Sequence, residues 1–117
     1  MSKQSALKTI NLEAGRPTAA DAIRRLTYEL HTSRRLGYIA VKLIHGYGSS
    51  GSGGRIRVEA RAYLSRLLNK KQLKMVLTGE RFSIFDEDTR AAFALCGALR
   101  EDHDLDRHNN GVTFVLL

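Results

Sequence analysis

Between positions 38 and 64 the chain reads YIAVKLIH, then GYGSSGSGG, then RIRVEARAYL. The first segment is a nearly continuous run of β-branched and large apolar residues, as in a strand covered on both faces or lying at the centre of a sheet. It stops at Gly46. The third segment carries Ile56, Ala60, Tyr63 and Leu64 on one face at helical spacing, and Leu67 continues the stripe. A strand followed at once by an amphipathic helix makes the nine residues between them, five of them glycine and three serine, a turn inside a domain rather than a linker between two.

The remaining segments repeat that alternation. KTINL, 8–12, reads as a short strand. Pro17 and Thr18 open a helix, with Thr18 and Asp21 in capping-box positions. Ala22, Ile23, Leu26 and Leu30 form its buried stripe, and Gly37 is placed to end it. LKMVLT, 73–78, is a third strand. A third helix is expected over 86–98, with Asp86 as its N-cap. EDHDLDRHNN, 101–110, reads as a polar loop, and GVTFVLL, 111–117, as a closing strand. Strand and helix alternating in this way predict an α/β sheet with helices packed against it. At 117 residues there is room for one domain, 1–117, with a core that needs neither metal nor disulfide.

The lone cysteine, Cys96, excludes an internal disulfide and falls in an apolar helical stretch. No apolar run reaches the length of a membrane span, and MSKQSALKTINLEAG has no signal-peptide core, so a cytoplasmic protein without a membrane partner is expected. Charge is the most informative bulk property. Residues 1–85 carry 16 basic and 5 acidic side chains, whereas residues 86–117 carry 3 and 7. A basic body of this kind suits a polyanion, most commonly nucleic acid. Eight of its basic residues lie between Lys42 and Lys74, against the single acid Glu59.

The glycine turn is the strongest chemical signal. Glycines let backbone N–H groups converge on an anion, and the following helix N-terminus adds partial positive charge. Gly46, Gly48, Gly51, Gly53 and Gly54 with Arg55, Arg57 and Arg61 are therefore candidate phosphate-binding residues. Tyr47 either stacks on a base or packs down on the sheet. GYGSSG also fits the G-x-G-x-x-G dinucleotide pattern, but it sits in the second strand–helix unit with too few strands to follow, so no dinucleotide is expected. A Walker motif fails for want of a lysine after the glycines. His45, at the strand's C-terminal end, is either a proton-transfer group or a structural histidine bonded to a loop carbonyl. Asp106-x-His108-x-Asn110-Gly111 echoes a calcium loop, but His108 and Leu117 stand where oxygen ligands belong, and no metal site is assigned. The acids of 101–108 are expected to form a solvated loop that partly screens the basic body.

VKLIHGYGSSGSGGRIRVEARAYL, 41–64, resembles the second motif of the small MutS-related (Smr) domain, in which a hydrophobic strand ends in His-Gly-x-Gly before an Arg-rich helix. TINLEAGRPTAADAIRRL, 9–26, falls where that family has its first strand and a Leu-Asp-Leu-His-Gly motif, and GVTFVLL resembles its last strand. The resemblance implies a two-layer α/β sandwich on a four-stranded mixed sheet, like the C-terminal domain of translation initiation factor three, with 79–110 as an insertion. It also implies nucleic-acid binding, with DNA or RNA as partner and a maintenance or ribosome-linked role. In some members it extends to nicking of DNA or cleavage of RNA. His45, Gly46 and Gly48 match the second motif. In the first, the family's Asp and His fall on Asn11 and Glu13, so binding carries over better than cleavage: Asn cannot ionise.

Three functions follow as expectations. The first is nucleic-acid binding through the glycine turn and the basic helix, without a cofactor. The second is an endonuclease using His45 and Glu13, for which a divalent metal is conceivable. The third is a ribosome- or protein-interaction module using the acidic insert.

Overall fold

The computed structural model describes residues 6–47 and 53–117. Four strands, β1 (Leu7–Asn11), β2 (Ala40–Ile44), β3 (Met75–Thr78) and β4 (Val112–Leu116), form one sheet in the order β1-β2-β4-β3. β1 and β2 are parallel, with Asn11 level with Ile44. β4 runs antiparallel to both β2 and β3 and lies between them. The C-terminal ends of β1, β2 and β3 and the start of β4 therefore meet along one edge of the sheet.

Helices α1 (Ala19–Arg35) and α2 (Gly53–Asn69) cover one face. Alternation along the strands turns Ile10, Val41, Leu43 and Val115 toward them, and these pack with Leu26, Leu30, Ile56, Ala60 and Leu64. The sheet and this helix layer make the expected two-layer sandwich. The opposite face is covered by the 79–110 segment, which contains helix α3 (Glu87–Leu95). Its Phe82, Phe93 and Leu99 pack on Leu77, Phe114 and Leu116, and the Phe82 and Phe114 rings lie 4.2 Å apart. Coverage on both faces is why β2 and β4 read as apolar runs interrupted only by Lys42 and Thr113.

The local signals act as their chemistry requires. The Thr18 hydroxyl accepts from Asp21 N–H and caps α1. Gly37, at φ +89°, ends it, with Tyr38 N–H bonded back to Ser33. Asp86 caps α3 by accepting from Thr89 N–H. That helix is shorter than expected, however. Cys96 is extended (φ −144°, ψ 94°), and a 3₁₀ segment, Gly97–Glu101, follows in place of helix. Gly79 is required sterically, since a side chain there would collide with the Asn109 carbonyl. Among the described residues no helix is long and apolar enough to cross a membrane.

Candidate nucleic-acid interface

β2 delivers His45 to the sheet edge on the face that carries Val41 and Leu43, beneath the start of α2. His45 is fully buried. Its Nδ1 lies 2.8 Å from the Gly46 carbonyl and its Nε2 lies 2.8 Å from Thr113 Oγ1. A carbonyl only accepts, so Nδ1 carries the proton and Nε2 accepts from the threonine hydroxyl. Thr113 Oγ1 in turn accepts from Arg61 Nε at 3.0 Å. Burial, reinforced by the Arg61 and Arg57 charges, lowers the histidine to about 4, against the opposing pull of the Gly46 carbonyl. His45 is thus a neutral strut that fixes the root of the glycine turn.

Arg61 is equally committed. It grips Glu80 with two bonds, at 2.8 and 3.0 Å, and donates to the Val112 carbonyl at 3.1 Å. The Arg61 fork holds Glu80 below the usual carboxylate range, against a smaller opposing effect of burial. The expectation that Arg61 offers itself to a phosphate is therefore corrected: its donors are already spent on Glu80, Thr113 and Val112. Arg57, one turn earlier, touches Glu80 only at 3.8 Å. Among the described residues its Nε is buried without a hydrogen-bond partner, and its side chain remains 28% exposed. Arg55 is exposed and pairs with Glu59 at 3.2 Å.

Tyr47 lies with one ring edge beside Gly111, next to the start of β4, and is 56% exposed, so it packs on the sheet only in part. Gly46 sits at φ +74°, and a side chain there would run into the Glu13 carboxylate. Glu13 itself is exposed, its N–H bonded to Asn11 Oδ1. The ends of β1 and β2 thus bring Glu13 to Gly46, as their parallel pairing requires, while both nitrogens of His45 stay engaged elsewhere. Gly53 and Gly54 open α2, whose first turn has no acid. Gly48 and Gly51 lie outside the described residues.

Two further expectations are corrected. Lys42 does not join the basic face. It is buried on the opposite side of the sheet, its Nζ 2.9 Å from Asp102 and 2.7 Å from Asp104. Asp102 and Asp104 are accordingly not part of a solvated loop. Burial alone would lower Lys42 and raise Asp104, but the bonds to Asp104 and Asp102 outweigh it for Lys42, and those from Lys42 and Asn109 outweigh it for Asp104. Asp102, His103 and Asp104 do gather within 4.8 Å, but both carboxylates already serve Lys42. Sequence reasoning did not reach this cluster or Thr113. One lysine inside the apolar run YIAVKLIH was the available signal, because a lysine buried there needs a carboxylate. Comparison with protein-family models, with curated proteins and with solved structures finds no match.

Proposed function

We propose that the protein is a nucleic-acid-binding domain of Smr-like type, which holds phosphates at the glycine turn and the first turns of α2 and does not cleave them. The observation that carries this reading is Arg57, a largely buried guanidinium whose Nε has no hydrogen-bond partner among the described residues, in a helix whose first turn holds no acid. Contacts of this kind supply affinity with little choice of sequence. Glu13, on the β1 side of Gly46, repels an anion, so the phosphate lies toward α2. The reading stops at binding because His45 has no free nitrogen and takes no proton at neutral pH.

The test is fluorescence anisotropy with labelled RNA and DNA oligonucleotides across a salt series, with incubation in and out of divalent metal to look for cleavage. Affinity should fall steeply with salt, and Arg57→Ala should lower the log–log slope by about 1 for every sequence alike. Affinity that ignores salt refutes the reading. Cleavage that survives repeated purification and is abolished by His45→Ala replaces it with the endonuclease.

A further inference from the structure

The outer surface of the helix layer carries a groove that the glycine turn does not account for. Because β1 and β2 are parallel, α1 and α2 both start at the glycine-turn edge and finish at the opposite one. Two cavities lie in the seam between them, of about 350 and 170 Å³, and both are walled by Tyr63. The larger begins at Ala20 and Glu59, and the smaller ends at Arg34 and Gln72. At 1.5 Å per residue, Ala20 to Arg34 spans about 21 Å of helix.

The far end of this groove is strongly cationic. No Asp or Glu occurs from residue 30 to 58 or from 60 to 79. Arg34 lies against the turn after α2, donating to the Gln72 carbonyl. That turn carries Lys70, Lys71 and Lys74, all exposed and without an ion-pair partner among the described residues. Lys71 holds a left-handed backbone, φ +61°, at a helix end where glycine is the unstrained choice. A positive charge is kept there at a conformational cost. The one acid in the groove wall, Glu59, is already paired with Arg55.

The smaller cavity is below the roughly 300–1,000 Å³ of pockets that enclose a whole ligand, so it admits a single ring system. Its wall combines the Tyr63 ring with the polar groups of Thr27, His31, Arg34 and Gln72, and the Thr27 and Tyr63 hydroxyls are bonded at 2.9 Å. A ring-sized slot with hydrogen-bonding edges, inside a cationic channel that leads from a phosphate turn, has the chemistry of an unstacked base followed by its backbone.

We propose that this groove is the track for a single-stranded nucleic acid, with one base in the His31–Tyr63 slot and the flanking phosphates on Arg34, Lys70, Lys71 and Lys74. It rests on the reading that the protein binds nucleic acid, and it adds a second contact at the opposite end of the helix layer. A duplex is excluded as the preferred partner because its bases are stacked away from the slot.

The experiment titrates the full chain with labelled oligo(U) and oligo(dT) of about 12 nucleotides and with a duplex of equal length. The variants are Lys70→Ala/Lys71→Gly/Lys74→Ala, His31→Ala and Arg57→Ala. The lysine changes are exposed, and Lys71→Gly relieves the backbone, so the triple variant stays folded. Single strands should bind more tightly than duplex. The triple variant should lose about 10–100-fold in affinity and about 2 from the salt slope, at roughly 0.7 per phosphate contact. His31→Ala should weaken single-strand binding alone. If Arg57→Ala weakens binding while the triple variant and His31→Ala match the wild type, the groove is not the track and the glycine-turn reading stands. If the triple variant weakens binding and Arg57→Ala does not, the groove holds and the glycine turn fails. No binding of any oligonucleotide overturns both, and duplex bound as tightly as single strand overturns the base slot.

Discussion

At the scale of single residues, the buried imidazole of His45 gives the fold a dependence on pH. In the unfolded chain a histidine titrates near 6.5, whereas in the fold His45 titrates at about 4. Between those values the unfolded chain binds a proton that the folded one refuses, so stability falls as pH drops through the window and levels off below it. At 1.36 kcal/mol per unit the whole window amounts to roughly 3 kcal/mol. Urea midpoints should fall steadily from about pH 6.5 toward 4, and His45→Gln should flatten that limb; an unchanged limb in the variant would assign the sensitivity elsewhere. Glu80, Asp86 and Asp104, whose carboxyls are held below the usual range, begin to lose their contribution as pH falls through about 5, so the limb between about pH 6.5 and 5 is the part that reports His45. Glu80 has a second consequence. Its carboxylate offsets the charge of Arg61 and lies 3.8 Å from Arg57, so on the proposed reading Glu80→Gln should tighten nucleic-acid binding several-fold at low salt while costing about 1 kcal/mol in stability. Anisotropy and thermal melting on the same samples check both, and weaker binding at unchanged stability would contradict it. The sequence placed His45 at the C-terminal end of a strand, directly before the glycines. It did not show that Thr113, 68 positions later, meets Nε2 of the buried ring.

At the scale of elements, Lys42 ties β2 to the 79–110 segment through Asp102 and Asp104. Removing the ammonium leaves two buried carboxylates facing each other. Lys42→Met should therefore destabilise the protein by about 3–5 kcal/mol in urea denaturation, with much of the loss recovered when Asp102→Asn and Asp104→Asn are added. Failure of that rescue would mean that the lysine acts by packing on the Phe114 ring rather than by charge. The order of strands and helices was legible because each run keeps its own period, and the caps of α1 and α3 fell on Thr18 and Asp86 as read. The end of α3 was not legible. ALCGA reads as continuing helix, whereas in the fold Cys96 is extended and buried and a 3₁₀ segment follows it.

At the scale of the whole molecule, the basic run from Lys42 to Lys74 separates into three places. Lys42 is buried on one face, Arg57 and Arg61 stand at one edge of the sheet, and Lys70 to Lys74 stand at the other. Proximity in sequence concealed this because α2 alone, 17 residues long, spans about 25 Å. Glu80 apart, which pairs with Arg61 of α2, the acids of the 79–110 segment belong to the layer on the other side of the sheet from the helices, where Asp102 and Asp104 serve Lys42. Asp106→Asn, which keeps the Oδ1 that accepts from Ile84 N–H, should leave oligonucleotide affinity unchanged, and a tighter complex in anisotropy would restore the screening role. The position of β4 also bears on how the molecule is made. It is the last strand in chain order, yet it fills the gap between β2 and β3. On a ribosome moving at ~5–20 residues per second, about 68 residues separate the end of β2 from the start of β4, a wait of roughly 3–14 s. Throughout that interval β2 has one open edge, and once Met75–Thr78 has been made, with 34 of the 68 residues still to come, β3 has no neighbour at all, so the period of greatest danger from misassociation falls just before β4 arrives.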